Sequence, residues 1–176
     1  GANQLVNAAG VLAAVAAMHS RLPVAAQDVR IGLAQTALAG RFQIVPGQPT
    51  LILDVAHNPH SVAALVANLD AMGFYPATHA VFGAMADKDL GSMLRHLHPV
   101  IDHWYFTDLP TPRAANAATL QQMWQDASAQ LPHKLTVPTS QTFASPVQAL
   151  HAALEAANPA DRIAAFGSFY TVGAVL

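Results

Sequence analysis

Three side chains that could do chemistry together follow directly after an apolar run. The run, from Thr50 to Leu53, predicts a buried strand. Asp54, His57 and Asn58 come at its end. Asn58 is a typical helix N-cap, and Pro59 suits the first turn of the helix that would follow. A carboxylate, an imidazole and a carboxamide would therefore meet at the place where open α/β sheets bind ligands. An ordinary capped turn with an incidental histidine would explain the same residues.

Polar residues also follow three other predicted strands: Asp87, Lys88 and Asp89 after one, Thr107 and Asp108 after the next, and Gly167 and Ser168 after the last. In a parallel sheet these residues share one edge, where helix N-termini favour anions. Each has a simpler interpretation. Asp87 and Ser168 would serve equally as N-caps, and Arg113 as a surface residue.

Other site types are not predicted. His96, His98 and His103 are the best candidates for metal ligands, but no carboxylate is evident to support them, so we expect no metal site. The sequence has no G-x-x-x-x-G-K-[ST] phosphate loop, no G-x-G-x-x-G and no G-x-S-x-G nucleophile elbow. A self-contained nucleotide-hydrolysing or acyl-transfer site is therefore not expected.

The composition is that of a globular protein. Of the 176 residues, 53% are hydrophobic and 10% are charged, and the net charge of −2 argues against a nucleic-acid surface. The absence of cysteine excludes disulfides and thiolate zinc sites and is compatible with the cytoplasm. Residues 1–20 carry no charged side chain, but polar interruptions and the lack of a basic start favour a buried, alanine-rich helix over a membrane segment.

The elements that must position these residues follow from the hydrophobic pattern. Two helices are predicted at residues 3–19 and 25–37, then a hairpin of strands at 41–45 and 50–54. Strands and helices then alternate, with strands at 80–82, 103–107, 134–137 and 162–166. This predicts an α/β fold with a mostly parallel sheet, helices on both faces and right-handed crossovers between neighbouring strands. Because the last residues fall inside an apolar helix, we expect the sequence to be a fragment.

Five segments, taken in order, carry a family resemblance: NQLVNAA at 3–9, GRFQ at 40–43, LDVAHNPHS at 53–61, FGAMADKD at 82–89 and GSFYTV at 167–172. With them the chain resembles, over essentially its whole length, the C-terminal part of the bacterial folylpolyglutamate synthase/dihydrofolate synthases of the Mur ligase superfamily. One departure is Asn3, which precedes Gln4 where relatives often carry histidine, so neither residue is given a role.

The resemblance implies a cytoplasmic, monomeric ligase that uses ATP and Mg²⁺ to join L-glutamate to a folate or pteroate acid through an acyl phosphate. Residues 1–39 would be the last helices of a central ATPase domain. Residues 40–176 would be the C-terminal Rossmann-like domain that closes over it. The phosphate loop and the metal ligands would lie in the missing N-terminal part, so the fragment alone would be inactive.

The resemblance also implies roles for five residues. Asn7, Arg41 and Asp54 would bind the nucleotide, with Arg41 reaching the ATP phosphates as a catalytic group. His57, also catalytic, and Ser168 would hold the incoming glutamate. No residue is expected to bind the metal.

Two alternatives remain open from the sequence. A murein-type or other amide-forming ligase would share the fold and chemistry but take a different acid. A non-catalytic α/β binding module of the flavodoxin or response-regulator type would also fit the acidic strand ends. It would leave Arg41, the helical pair and the Gly-Ser-Phe-Tyr ending unexplained.

Overall fold

The computed structural model describes residues 2–36, 38–132 and 137–176, with side chains from residue 4 onward. The chain divides into two compact units, Gly1–Ala39 and Gly40–Leu176. The first contains the two predicted helices, α1 (Ala2–Ala17) and α2 (Ala26–Gln35). The prediction that α1 is buried is wrong for this structure: side chains such as Leu5 and Val6 are exposed, because a two-helix unit offers too little surface to cover them. No helix among the described residues is long and apolar enough to cross a membrane.

The second unit is built around a sheet. Its elements, in chain order, are β1 (Gln43–Val45), β2 (Thr50–Asp54), α3 (Pro59–Ala71), β3 (Thr78–Phe82), α4 (Leu90–Leu97), β4 (His103–Thr107), α5 (Ala117–Ser128), β5 (Thr139–Phe143), α6 (Pro146–Ala156), β6 (Arg162–Phe166) and α7 (Phe169–Val175). In the described residues the strand order is β1-β2-β6-β3-β4-β5. β1 is antiparallel to β2, as the predicted hairpin requires, and the other pairs are parallel.

The order of the strands and the position of the fifth strand differ from the prediction. β2 and β3 are consecutive along the chain but are not neighbours, because β6 lies between them and pairs with both. The crossovers therefore do not all join adjacent strands. The strand predicted at 134–137 falls largely on residues 134–136, which lie outside the described residues. The fifth strand is found at Thr139–Phe143, a polar edge strand whose side chains are mostly not buried, so its sequence carries little hydrophobic signal.

Helices cover both faces of the sheet, as predicted. Alternate residues of each strand point to opposite faces. On β2, Ile52 belongs to the core formed with α3, α4 and α5, while Leu53 belongs to the core formed with α6 and α7. On β4, Trp104 and Tyr105 divide in the same way. Burial of each large apolar side chain contributes roughly 1.5–3 kcal/mol, which fixes the strand ends relative to one another.

Because β2, β6, β3 and β4 are parallel, their last residues share one edge of the sheet, called here the carboxyl edge. Their first residues share the opposite edge, called here the amino edge. β2 and β6 end in register, with Asp54 beside Phe166. The segments that follow these two strands are therefore neighbours in space, although more than a hundred residues separate them along the chain.

Candidate functional site

Asp54 ends β2 and binds two stretches of backbone with its two carboxylate oxygens. Oδ2 accepts a hydrogen bond of 2.8 Å from the Phe42 N–H, and Oδ1 accepts one of 2.7 Å from the Ala56 N–H. Hydrogen bonds to an ionised acceptor are among the strong ones in proteins. One side chain thus joins the segment before β1 to the turn after β2.

Burial raises the pKa of Asp54 above its ordinary value. The N–H groups of Ala56 and Phe42, and then the nearby Arg41 and His57, act in the opposite direction because they favour the carboxylate. The carboxylate is therefore partly removed from water, and its two backbone hydrogen bonds offset part of the cost of burial.

Arg41 is an exposed cation on a well-defined backbone. Gly40, before it, has φ +66° and accepts a hydrogen bond of 2.8 Å from the Val55 N–H. Phe42, after it, has φ +48°, a left-handed conformation that is uncommon for a bulky residue. The Arg41 guanidinium carbon lies 5.9 Å from the centre of the exposed Phe169 ring at the start of α7. The charge is therefore accessible to an anion at the carboxyl edge.

His57 lies in the turn between β2 and α3 and is half-buried. Its Nδ1 lies 2.8 Å from the Val55 carbonyl oxygen, and its backbone N–H donates to Ser61 Oγ at 3.1 Å. A carbonyl only accepts, so Nδ1 carries the proton in this arrangement and a neutral ring would offer Nε2 as an acceptor.

Asn58 is the N-cap of α3, which confirms the prediction. Its side-chain oxygen accepts a hydrogen bond of 2.9 Å from the Ser61 N–H, and Pro59 occupies the first helical turn. The expected apolar face of the helix is present: Val62, Leu65 and Leu69 are buried. Asn58 thus shapes the turn that holds His57.

Ser168 follows β6 and is buried, with 4% of its surface exposed. It is the N-cap of α7, since its Oγ accepts a hydrogen bond of 3.0 Å from the Thr171 N–H. Thr171 Oγ1 donates to the Gly83 carbonyl at 2.7 Å, so the 2.9 Å contact between the two hydroxyls has Ser168 as the donor. The Ser168 hydroxyl is therefore engaged within the fold.

Gly167 permits this arrangement. Its φ is +109°, and a Cβ atom built there would lie 2.5 Å from the Gly83 carbonyl oxygen. The ends of β6 and β3 approach too closely for any side chain at this position.

The loops after β3 and β4 are joined beside the site. The Arg113 guanidinium donates to Asp87 Oδ2 at 3.2 Å, and Lys88 Nζ lies 3.7 Å from the same oxygen. Asp87 is therefore not the N-cap of α4. That position belongs to Asp89, whose Oδ1 accepts a hydrogen bond of 3.0 Å from the Ser92 N–H.

The structure thus brings Arg41, Asp54 and His57 together around the end of β2, with Ser168 just after the neighbouring strand β6. Asn7 belongs to the first unit, where it is exposed on α1 and donates to Gln4 Oε1 at 3.3 Å. Among the described residues, no group of three or more His, Asp or Glu side chains could hold a metal ion. Phe42 and Ala56 could not be predicted as partners of Asp54, since backbone donors leave no residue-type signal.

Comparison with known proteins gives a consistent result. The family model "Mur ligase, glutamate ligase domain" matches residues 40–169. The dihydrofolate synthase/folylpolyglutamate synthase of Escherichia coli is 38% identical over 170 residues, covering 97% of this chain and 37% of that protein. A probable bifunctional folylpolyglutamate synthase/dihydropteroate synthase of Haloferax volcanii is 31% identical over 172 residues, covering 98% of this chain and 19% of that protein.

Solved structures agree. E. coli FolC in complex with DHPP and ADP superposes with a TM-score of 0.83 at 37% identity, covering 96% of this chain and 37% of that one. A bifunctional folylpolyglutamate synthase/dihydrofolate synthase with Mn, AMPPNP and L-glutamate bound gives a TM-score of 0.75 at 36% identity, covering 92% and 37%. This chain spans about 37% of the length of the E. coli enzyme and of the Mn-bound relative. The predicted α/β fold and the family resemblance are confirmed, and the chain belongs to the Mur ligase family as a glutamate ligase domain.

Proposed function

We propose that this chain is the C-terminal lobe of an ATP-dependent enzyme that adds L-glutamate to dihydropteroate, to tetrahydrofolate (poly)glutamates, or to both. The observation that carries the proposal is the placement of Arg41, Asp54 and His57 around the end of β2, in a family of glutamate ligase domains. Relatives of similar fold bind ADP or AMPPNP, and one binds L-glutamate. The enzyme would work in the cytoplasm as a monomer.

The reaction has two steps. The carboxylate of the folate or pteroate acid attacks the γ-phosphorus of ATP, which gives an acyl phosphate and ADP. The amino nitrogen of glutamate then attacks the acyl carbon. An amide bond forms, phosphate leaves and the nitrogen loses a proton. In the first step negative charge is concentrated on phosphate oxygens, and catalysis of such a transfer depends on positioning and electrostatic stabilisation.

Each of the five residues given a role by the family resemblance has a geometry that suits that role. Arg41 is an exposed guanidinium, which suits contact with the ATP phosphates. Asp54 would accept ribose hydroxyls with the lone pairs that its backbone contacts leave free. His57 would hold the incoming glutamate. Ser168 would contact glutamate only after its hydroxyl turns away from Thr171, so we expect a smaller contribution from it. Asn7 would contact the nucleotide.

The described residues do not fit a metal site, and we assign no step to Mg²⁺ within this chain. Residues 1–39 would be the end of the central ATPase domain, and that domain would supply the phosphate loop and the metal ligands. We therefore expect residues 1–176 alone to have no ligase activity. Expressing them separately and assaying ATP turnover would test this.

The first experiment measures phosphate release by the full-length protein with ATP, magnesium and glutamate. Dihydropteroate, tetrahydrofolate and a murein precursor are offered in turn. Release with one or both pterin acids only would support the proposal and identify the step or steps performed. Release only with the murein precursor would replace the substrate while keeping the chemistry. No release with any acid would contradict the ligase proposal and favour a non-catalytic module.

A further inference from the structure

The carboxylate of Asp54 connects two segments that each carry a proposed functional residue. Phe42, whose N–H donates to Oδ2 at 2.8 Å, directly follows Arg41. Ala56, whose N–H donates to Oδ1 at 2.7 Å, directly precedes His57. Both oxygens are therefore occupied by the backbone beside a catalytic candidate.

Phe42 and Ala56 both lie outside the strands, and beside them one backbone hydrogen bond of 2.8 Å, from the Val55 N–H to the Gly40 carbonyl, also joins the two segments. Phe42 lies before β1 in the left-handed region, which is unfavourable for a residue with a large side chain unless its surroundings hold it there. Ala56 lies after β2, in the turn where His57 bonds back to the Val55 carbonyl. The Asp54 carboxylate adds two charge-assisted contacts at Phe42 and Ala56, the residues next to Arg41 and His57, and a carboxamide could keep only one of them.

We propose that Asp54 is a positioning residue that sets Arg41 and His57 relative to each other, so that one carboxylate aligns the phosphate-binding and glutamate-binding halves of the site. This inference rests on the proposed function, which gives those two residues their substrates. It differs from a ribose contact because it predicts that Asp54 governs the use of glutamate as well as of ATP.

The test is Asp54→Asn in the full-length protein. A carboxamide has one accepting oxygen, so it cannot receive both N–H groups. We expect kcat/KM for glutamate and for ATP to fall together by about tenfold or more, because a misplacement near 1 Å can reduce a rate by about a hundredfold. The loss should persist with 2′-deoxy-ATP and 3′-deoxy-ATP. A rise in nucleotide KM alone, disappearing with either deoxy analogue, would overturn the inference in favour of a ribose contact.

Asp108→Asn is the matched control. Asp108 is also a carboxylate at the carboxyl edge that accepts a backbone N–H, from Ala117 at 2.7 Å, but it holds α5 instead of the segments bearing Arg41 and His57. Asp108→Asn should leave the two kcat/KM values within about twofold of the unsubstituted protein. Equal losses in both variants would show that any carboxylate loss at this edge has the same effect, and would contradict a special role for Asp54.

A second measurement does not depend on activity. In protein labelled with ¹⁵N-phenylalanine and ¹⁵N-alanine, the Phe42 and Ala56 amide resonances should titrate with one shared midpoint, since both report the same carboxyl group. Different midpoints, or no titration, would overturn the shared contact even if the substituted protein fails to fold.

The proposed function and the positioning role of Asp54 can fail separately. An unsubstituted protein without glutamate-dependent ATP turnover contradicts the proposed function. Normal turnover with nucleotide-only losses in Asp54→Asn contradicts this inference alone.

Discussion

The two edges of the sheet differ in the exposure of their arginines. At the carboxyl edge, carboxylates such as Asp54 and Asp108 bind backbone N–H groups, and the cation Arg41 is left exposed. At the amino edge, Arg162, His79 and Asp161 are buried and bind nearby side chains or backbone. The contrast separates an edge that keeps charge available for a ligand from one that uses its charge inside the protein.

The amino edge illustrates the second arrangement. Arg162, only 6% exposed, donates to Thr78 Oγ1 at 2.9 Å and to the Leu69 carbonyl, with its guanidinium 5.0 Å from the Tyr75 ring centre. Burial lowers the pKa of Arg162, while Tyr75 and nearby carboxylates act to raise it. Buried charges are retained only when they are well partnered, and here the partners come from several elements.

His79 and Asp161 lie beside this arginine. Tyr105 OH lies 3.1 Å from His79 Nδ1, and Asp161 Oδ2 lies 3.5 Å from His79 Nε2, too far for a strong hydrogen bond. Burial acts to raise the pKa of Asp161, but the net shift is downward because the backbone and side chain of Asn158 donate to it and His79 lies close. This edge fastens the start of the strands, and no residue of the proposed site depends on it directly.

The largest expected effect is on the carboxyl edge itself. In Gly167→Ala the new Cβ would lie 2.5 Å from the Gly83 carbonyl oxygen on a backbone with φ +109°, so steric overlap adds to strain. We expect the free energy of unfolding to fall by about 4 kcal/mol or more. Gly73→Ala, at φ +88° with no atom within 4 Å, is the control and should cost about 1 kcal/mol. Urea denaturation measures the loss in free energy of unfolding for both variants. Similar losses would show that backbone strain alone, without steric overlap, explains the effect of Gly167→Ala.

The next largest effect tests whether the exposed cation serves a ligand. Arg41→Ala should lower kcat by about a hundredfold or more, as expected when a group stabilising transferred charge is removed. Its free energy of unfolding should change by less than about 1 kcal/mol, because the side chain is exposed and lies only near the edge of cation–π range of Phe169. Steady-state kinetics and urea denaturation together check both values. Parallel losses of stability and turnover would make Arg41 structural, and the contrast between the edges would disappear.

At the amino edge the opposite outcome is expected. Arg162→Met should lower the free energy of unfolding by about 2–3 kcal/mol, because the Leu69 carbonyl loses a buried donor. The KM values for ATP and glutamate should change little. Arg113→Met, which removes an exposed pair with Asp87, is the comparison and should cost no more than about 1 kcal/mol. A selective rise in substrate KM in Arg162→Met would place that arginine in the functional site.

The smallest expected effect is a dependence of the free energy of unfolding on pH. Burial, and then the charge of His103, lower the pKa of His79 below the ordinary 6.5, while Asp161 and Asp102 act to raise it. His79 therefore binds a proton more readily in the unfolded chain than in the folded chain. Stability that His79 contributes above pH 6.5 should be lost as the pH falls below that value, before the loss due to Asp161, which begins below pH 3.8. Urea midpoints between pH 7 and 5 should decline less in His79→Gln, and an unchanged decline would exclude His79 as its source.

Local chemistry explains which parts of the fold could be predicted. The Asn58 cap and the β1–β2 hairpin depend on neighbouring residues, and both were predicted from the sequence. The position of β6 between β2 and β3 depends on pairing across the whole sheet, which no local pattern records. The polar strand Thr139–Phe143 was missed because an edge strand needs few apolar residues.

The site was predictable to a similar extent. Side chains at strand ends could be placed on one edge, but the role of Asp54 in joining Phe42 to Ala56 could not, since it depends on a left-handed residue twelve positions away. Likewise, α4 begins at Leu90 and is capped by Asp89, while Asp87 pairs with Arg113, on a loop that is distant in sequence.

The central position of β6 has a consequence for synthesis on the ribosome. β2 and β3 emerge early, yet the strand that joins them, Arg162–Phe166, emerges about eighty residues after β3. Until then both strands present unpaired backbone edges, which are prone to pair with other chains. The nascent domain would therefore need protection from aggregation until translation passes Phe166.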